Sequence, residues 1–376
     1  MNALVWTAAG LCLCGFAFFW RVPLCRSGRG TLKGTPNPAA RTLPLVVIVP
    51  ARNEAASLPR LLDSLWSGPA IPQEIVVVDD HSQDGTAQVA AERGATVLAG
   101  AALPDGWTGK TWACHQGAER AGRQTLLFLD ADTWIEPGGL GRLWDEFEAG
   151  EGVLSVLPFH RIERPYERLS AFFNLAMAAG VNAFGPRGDR AKGRALFGQC
   201  LMLRADDYWR AGGHEAVRGR ILENVELAKR FQAAGVGTRC RGGKWTLSFR
   251  MYPGGLAELV RGWVKAFASG AATTPLLTLA LIIAWMAAGV LAPVPLVHAL
   301  SGRGELSLPA ALPYALFAAQ VAVFLGRLGR YGVFTALLYP IPLVFYLVVF
   351  AVSAAKAARG GPVAWKGRSM GAGGHG

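Results

Sequence analysis

Two aspartates with one residue between them follow an apolar run near the middle of the chain. Asp130 and Asp132 come directly after LLFL (126–129), so both carboxylates are expected at the end of a buried strand. Burying two like charges there is costly unless a cation neutralises them. Carboxylate oxygens suit Mg²⁺ or Mn²⁺, which can bridge to a diphosphate. The pair therefore predicts a divalent-cation site, although the same tripeptide also occurs in solvated turns.

A second pair of carboxylates, Asp79 and Asp80, ends another β-branched run. A glycine turn follows, and then Thr86, whose hydroxyl can cap a helix. A capped turn without a ligand is the alternative interpretation. The end of the first run in the chain supplies further groups suited to a ribose and a base: Pro50, Arg52 and Glu54. Three such strand ends side by side would form a nucleotide site.

The elements that must position these residues alternate in type along the chain. Short β-branched runs, expected to be strands buried on both faces, occupy 45–49, 75–78, 96–98 and 126–129. Amphipathic segments such as 55–65 and 86–91 lie between them. Strands separated by helices of this length predict parallel βαβ units in an α/β domain. Ligands of such domains bind at the carboxyl ends of the strands, where the carboxylates above are expected.

The composition indicates that part of the chain is dissolved in lipid. Of the 376 residues, 52% are hydrophobic and 17% are charged, whereas a soluble protein has about a quarter charged. The shortfall is local, because the charged residues between 273 and 355 are Arg303, Glu305, Arg327 and Arg330. The net charge of +12, with basic residues beside apolar segments, favours an anionic membrane surface over nucleic acid as partner.

The apolar stretches predict a multi-pass protein of the cell membrane. Segment 2–20 is uncharged and long enough to cross a bilayer, and the basic residues after it predict that the following α/β domain faces the cytoplasm. A cleaved signal peptide is the alternative. If 274–297, 308–325 and 333–355 all cross, the basic tail ends outside, against the positive-inside rule. We therefore expect 308–325, the weakest stretch, to lie in the interface or to re-enter.

These patterns divide the chain into six parts. They are a transmembrane anchor (1–21), a basic linker (22–44), the α/β domain (45–248), an interfacial helix region (249–272), a transmembrane region of two or three spans (273–355) and a basic, glycine-rich tail (356–376).

Three motifs together resemble the family-two inverting glycosyltransferases of GT-A fold: VIVPARNEA (47–55), VVVDDHSQDGT (76–86) and LFLDADTWIEPGGL (127–140). The resemblance implies a Rossmann-like, mostly parallel sheet. Further motifs extend it to the membrane carotenoid glycosyltransferases, with the hopanoid-associated glycosyltransferases second: LPDGWTGK (103–110), FGQC (197–200), GGH (212–214), RMYP (250–253) and WKGR (365–368).

The resemblance implies a sugar-nucleotide donor, UDP-glucose, and a membrane isoprenoid as acceptor. Asp79 and Asp80 would lie near the nucleoside, and the Asp130-Ala131-Asp132 segment would hold the diphosphate through Mg²⁺ or Mn²⁺. Lys110 is the candidate cation for the departing diphosphate, since such charge needs stabilisation; an exposed loop lysine is the alternative. His214, after two glycines, is either a third metal ligand or a loop residue.

The family's Glu-Asp pair, whose Asp acts as general base, is Glu223-Asn224 here. An amide cannot take a proton, so either Glu223 or Glu226 substitutes or no strong base is required. A carotenoic acid is already ionised, so this departure favours a glycosyl ester over a lipid-hydroxyl or hopanoid acceptor. Asn224 could instead cap a helix over 225–234. A membrane scaffold that binds nucleotide without turnover is a further alternative.

An aromatic and basic segment precedes the apolar region. Arg261 and Trp263 resemble the family's terminal Arg/Trp element, in which the Trp lines the acceptor site. Trp263 and Tyr252 could equally anchor the chain at the membrane interface. The apolar stretch 168–179 is either a core helix or a membrane-dipping acceptor entrance, and we expect core.

Overall fold

The computed structural model describes residues 2–26, 40–191, 195–220, 222–270, 275–303, 307–358, 363–365 and 368–370. A seven-stranded sheet and a three-stranded sheet organise the central part. Their strands are β1 Arg41–Ala51, β2 Ala70–Asp79, β3 Thr96–Ala99, β4 Thr125–Leu129, β5 Thr133–Ile135, β6 Val153–Leu157, β7 Phe159–His160, β8 Cys200–Arg204, β9 Thr238–Gly242 and β10 Leu247–Phe249. Two short strands, β11 Val363–Trp365 and β12 Arg368–Met370, pair near the end of the chain.

Fifteen α-helices occur in the described residues. They are α1 Asn2–Cys12, α2 Gly15–Phe18, α3 Leu58–Trp66, α4 Thr86–Glu92, α5 Gly109–Ala121, α6 Gly139–Glu148, α7 Ala171–Gly180, α8 Ala205–Arg210, α9 Glu223–Ala233, α10 Leu256–Gly270, α11 Leu276–Leu291, α12 Val294–His298, α13 Leu308–Leu328, α14 Val333–Leu337 and α15 Pro340–Ala358. Short 3₁₀ helices span Pro165–Ser170, Gly188–Arg190 and Glu215–Val217, and a π-helical turn spans Ala299–Arg303.

The large sheet has the order β3-β2-β1-β4-β8-β6-β9. Strand β1 pairs in parallel with β2 and β4, and β2 with β3, so the predicted α/β fold with a mostly parallel sheet is confirmed. Strand β8 runs antiparallel between β4 and β6. Strand β1 begins at Arg41, four residues before the boundary that we predicted.

The expectation that all four β-branched runs are buried on both faces is wrong for β3. This strand has a single neighbour, β2, and lies at the edge of the sheet, so its side chains are exposed or half-buried. Strands β1, β2 and β4 lie inside the sheet and are buried over most of their length. The carboxyl ends of these three parallel strands therefore lie side by side at the same end of the sheet.

The small sheet, in the order β5-β10-β7, continues from the end of β4. Strand β10 runs antiparallel to β5, with Phe249 opposite Thr133. Since Thr133 directly follows Asp132, the chain leaves β10 beside the aspartate pair and then enters α10.

Two helical units are long and apolar enough to cross a membrane by length and composition: Leu276–Arg303 and Leu308–Leu328. The stretch 308–325 forms one continuous helix that is long enough to span a membrane, and its placement in the interface or as a re-entrant segment stays a prediction. The stretch 333–355 is instead divided between α14 and α15, with Pro340 at the start of the second helix. The N-terminal stretch 2–20 likewise forms two helices, α1 and α2, rather than one.

The N-terminal helices are joined to the apolar helices by a buried polar contact. Gln320 on α13 accepts a hydrogen bond from Trp285 Nε1 (2.6 Å) and donates one to the Cys12 carbonyl (2.9 Å). Helix α7 also packs on the apolar helices: Phe172 packs on Trp285 of α11, and Phe173 packs on Tyr346 of α15. The prediction that 168–179 is core is confirmed at these positions, since both phenylalanines are fully buried.

Helix α5 packs closely on β1 because Gly117 lacks a side chain, and a Cβ there would collide with Ile48 Cγ2. We expect Gly117→Ala to lower the thermal unfolding temperature of the detergent-solubilised chain, since overpacking costs about 1–3 kcal/mol. Gly141→Ala on α6 is the matched control, because its Cβ would meet ordinary contact at 3.9 Å and alanine favours helix by about 1 kcal/mol. Equal shifts for the two variants would contradict this packing.

Candidate active site

The loops after β1 and β2 are tied to each other by side chains of the predicted nucleotide site. Arg52 Nη1 donates to the Asp80 carbonyl (2.9 Å) and lies 3.4 Å from Asp80 Oδ2. The Asp79 carboxylate accepts from the Ser82 backbone N–H (3.1 Å), which fixes the turn after β2. Pro50 lies opposite Val78 in the sheet, so the two loops leave it side by side.

The Thr86 hydroxyl serves a different purpose from the helix cap that the sequence suggested. Helix α4 begins at Thr86 itself, with Gly85 at the capping position. The Thr86 Oγ1 atom accepts instead from the Glu54 backbone N–H, at 2.9 Å. Glu54 is thereby held in the loop after β1, near Asp132 of the aspartate pair.

The turn that carries the aspartate pair is fixed by its backbone. The Asp130 N–H donates to the Gln199 carbonyl (3.1 Å), and the Asp130 carbonyl accepts from the Thr133 hydroxyl (2.7 Å). Asp132 is exposed. Partial desolvation there, together with the negative charges of Asp130 and Glu54, raises the pKa of Asp132 to about 7. The turn therefore holds more negative charge than its surroundings offset.

Lys110 contacts the aspartate pair directly. It lies in the first turn of α5, which begins with a capping box formed by Thr108 and Thr111. Its Nζ atom is 2.6 Å from Asp130 Oδ1 and 3.8 Å from Glu223 Oε1. Burial alone would lower the pKa of Lys110, but these two carboxylates raise it above its ordinary value, so the ammonium stays charged. The alternative of an exposed loop lysine is therefore wrong.

The Glu223-Asn224 pair begins helix α9. Leu222 occupies the capping position, so the interpretation of Asn224 as the cap of this helix is wrong. The Asn224 amide packs against Gly198, where a Cβ would collide with it, and donates to Glu223 Oε1 (3.3 Å). Burial raises the pKa of Glu223. Sequence reasoning missed Gly198 as a positioning residue, although it lies within the FGQC motif.

Glu226 and Glu223, the two candidates for a substitute base, lie in different surroundings. Glu223 approaches Lys110, whereas Glu226 Oε1 forms an ion pair with Lys229 Nζ (2.7 Å) on the outer side of α9. The structure thus brings Glu223, and not Glu226, into the cluster with Lys110 and Asp130.

His214 is held away from the aspartates by a hydrogen bond and by ring packing. Its Nδ1 atom lies 2.9 Å from the Tyr208 hydroxyl, and its ring packs on Phe128. Burial and the nearby positive charge of Lys110 lower the pKa of His214 to about 3. Within the part of the chain that the structure describes, no group of three or more His, Cys, Asp and Glu side chains could hold a metal. His214 is therefore not part of the metal site proposed below.

Trp263 on α10 is fully buried. Its Nε1 atom donates to Ser170 Oγ (3.1 Å), and its ring stacks on Phe173 with 4.6 Å between centroids. Because the indole is enclosed on all sides, the interpretation of Trp263 as an interfacial anchor is wrong. The ring lies in the interior and does not line an open surface.

Comparisons with known proteins agree with the motifs. Residues 46–210 match the model of glycosyl transferase family 2. The 4,4'-diaponeurosporenoate glycosyltransferase of Staphylococcus aureus (strain USA300) is 31% identical over 328 residues, which are 86% of this chain and 87% of the relative. The same enzyme of strain MRSA252 is 32% identical over 329 residues, with the same coverage.

Among solved structures, the mannosyltransferase PcManGT from Pyrobaculum calidifontis, in complex with GDP-Man and Mn²⁺, aligns with a TM-score of 0.46 and 17% identity, covering 95% of this chain and 98% of that one. Glucosyl-3-phosphoglycerate synthase from Mycobacterium tuberculosis, in complex with Mn²⁺ and UDP-Glc, aligns with a TM-score of 0.38 and 18% identity, covering 62% and 79%. On the family match and the extent of identity to the staphylococcal enzymes, the chain belongs to glycosyl transferase family 2.

Proposed function

We propose that this family-two glycosyltransferase moves glucose from UDP-glucose to the carboxylate of a carotenoic acid dissolved in the membrane, with inversion at the anomeric carbon. The observation that carries the proposal is the convergence of Lys110, Asp130 and Glu223 at the end of β4, beside Asp132. The acceptor class comes from the relatives named diaponeurosporenoate glycosyltransferase and from Asn224 in place of a base.

The two aspartates fit a divalent cation. Desolvation chiefly, and then the negative charges of Asp130 and Glu54, raise the pKa of Asp132, and a dication at the pair would offset these charges. Mg²⁺ is commonly held by one or two carboxylates, with water and substrate phosphates completing its shell, so two aspartates suffice. We therefore propose Asp130 and Asp132 as ligands of Mg²⁺ or Mn²⁺. When bound, the metal neutralises charge on the departing diphosphate.

Lys110 has the position and the charge to bind the diphosphate as well. Asp130 and Glu223 hold its ammonium at the strand edge, so it needs little reorganisation to donate to a β-phosphate oxygen. The tied loops after β1 and β2, with Arg52, Glu54, Asp79 and Asp80, are the proposed nucleoside site. Their mutual hydrogen bonds hold these loops in place before the donor arrives.

The transfer step that we propose moves no proton. An oxygen of the acceptor carboxylate forms a bond to the anomeric carbon while the bond from that carbon to the UDP oxygen breaks, and UDP leaves with the electron pair. The amide of Asn224, which packs against Gly198, cannot act as a base. Exclusion of bulk water at the bilayer surface would limit hydrolysis of the donor.

A lipid hydroxyl, such as that of a hopanoid, is the second candidate acceptor. Glu223 favours it, because burial raises the pKa of this carboxyl and so makes it a better proton acceptor. In that case Glu223 would take the hydroxyl proton during attack.

We further propose that the protein is a multi-pass protein of the cell membrane with its catalytic domain in the cytoplasm. The two candidate spans expose large apolar side chains, such as Leu276 (82% exposed) and Leu308 (77%), which would be costly in water. The lipid bilayer would thus be both a partner and the source of the acceptor.

Replacing Asp130 or Asp132 by Asn removes the proposed ligands. We expect UDP release from UDP-glucose, in the presence of Mn²⁺ and lipid extract, to fall about a hundredfold or more in each variant. EDTA should produce the same loss in the wild-type chain. Asp206→Asn, on the exposed side of α8, is the control and should keep its activity. Wild-type turnover that ignores EDTA would contradict the metal role, and no turnover at all would favour a nucleotide-binding scaffold.

Lys110→Gln keeps the length of the side chain and removes its charge. We expect kcat to fall about a hundredfold while the KM for UDP-glucose changes little, because the ammonium acts mainly on charge that develops in the transition state. Lys229→Gln, which breaks the exposed pair with Glu226, is the matched control and should leave both constants unchanged. Equal losses in the two variants would show that Lys110 has no special role.

Asn224→Asp restores the family's acidic residue. We expect the wild-type enzyme to prefer a carboxylate acceptor, and the variant to gain about a hundredfold or more toward an isoprenoid alcohol, the size of general-base assistance. The comparison uses farnesoic acid and farnesol as acceptors for both proteins. If the wild-type enzyme already prefers the alcohol, the glycosyl-ester proposal fails and the hydroxyl candidate stands.

A further inference from the structure

Tyr252 adopts a backbone conformation that a bulky residue rarely takes. Its φ angle is +56°, in the left-handed region, which strains the backbone of a residue with a bulky side chain. Two contacts hold it there. The Tyr166 hydroxyl donates to the Tyr252 carbonyl (2.8 Å), and the preceding Arg250 binds the buried Glu167 carboxylate (2.6 Å). Such strain persists where the surroundings enforce it, and it often marks a functional position.

The strained backbone directs the Tyr252 ring onto α10. The ring lies against Gly262, where any Cβ would collide with it, and its centroid is 5.7 Å from that of Trp263. The glycine in the Arg261-Gly262-Trp263 element is therefore required by the tyrosine ring.

Tyr252 follows the strand β10, which pairs with the strand that begins directly after the aspartate pair. Phe249, three residues earlier, lies opposite Thr133, which directly follows Asp132. Burial, and to a lesser extent the negative charges of Asp132 and Glu258, raise the pKa of Tyr252. A tyrosine hydroxyl is in any case protonated at neutral pH and can donate a hydrogen bond.

Tyr252 also connects to the apolar helices through stacked rings. Trp263 stacks on Phe173 at 4.6 Å, and Phe173 packs edge-on against Tyr346 of α15 at 5.0 Å. Tyr252 is half-buried at one end of this series, while the other rings are enclosed. Tyr252 thus connects the chain segment that leaves β10, beside the aspartate pair, with the apolar helices.

We propose that the Tyr252 hydroxyl donates a hydrogen bond to the reacting end of the acceptor, a carboxylate on an apolar chain, and so sets its position relative to the donor. The inference rests on the proposed function for the identity of the acceptor. Trp263 and Gly262 would act through Tyr252 as positioning residues.

The test measures binding of farnesoic acid to the full-length, detergent-solubilised chain loaded with UDP and Mn²⁺. Tyr252→Phe keeps the ring and removes the hydroxyl, and we expect about tenfold weaker binding, the size of one hydrogen bond to a charged group. Gly262→Ala, which displaces the ring, should weaken binding of the acid similarly. Tyr339→Phe is the matched control, because it removes another buried tyrosine hydroxyl, one that has no hydrogen-bond partner among the described residues.

Unchanged binding in Tyr252→Phe, or an equal loss in Tyr339→Phe, overturns the inference, as does failure of the wild-type chain to bind the acid. A second readout separates positioning from general damage. The rate of hydrolysis of UDP-glucose, in which water takes the place of the lipid acceptor, should stay within about twofold of wild type in Tyr252→Phe. The reason is that the hydroxyl is proposed to contact the acceptor and not the donor. If wild type binds the acid through Tyr252 but never glycosylates it, the proposed function fails while this inference survives.

Discussion

The ion pair between Lys110 and Asp130 at the end of β4 is the interaction on which the site depends. Negative charge gathers at the carboxyl ends of the central strands, and Lys110 offsets part of it. The acidic residues there are Asp130, Asp132, Glu54 and Glu223. The fold therefore carries an electrostatic cost before any ligand binds. A dication with its diphosphate would offset this negative charge. The electrostatic repulsion among the carboxylates of the ligand-free protein would therefore favour binding of the dication with the donor.

Close packing at glycine residues fixes the relative positions of the side chains in and around this cluster. Gly117 allows α5 to pack closely on β1, and this packing positions Lys110 in the first turn of α5. Gly198 leaves space for the Asn224 amide beside Glu223. Gly262 does the same for the Tyr252 ring on α10. The acidic site and the apolar helices are thus joined by closely packed contacts.

The sequence was sufficient for the parallel strands and for the residues at their ends, because β-branched runs and terminal carboxylates are local signals. It was misleading where contacts with residues distant along the chain determine the burial or the partner of a side chain. Strand β3 became an exposed edge, Trp263 was enclosed by Phe173 and Ser170, and His214 was bound to Tyr208. The roles of Gly198 and Tyr252 depend on contacts between residues distant along the chain, which no local pattern records.

The central claim is that the cluster around Asp130 is completed by a dication together with a diphosphate. Electron paramagnetic resonance of Mn²⁺, titrated into the full chain with and without UDP, tests it most directly. The account predicts weak binding of Mn²⁺ alone, binding at least about tenfold tighter with UDP, and loss of that gain in Asp132→Asn. Mn²⁺ binding that is indifferent to UDP, or that survives the substitution, would contradict it.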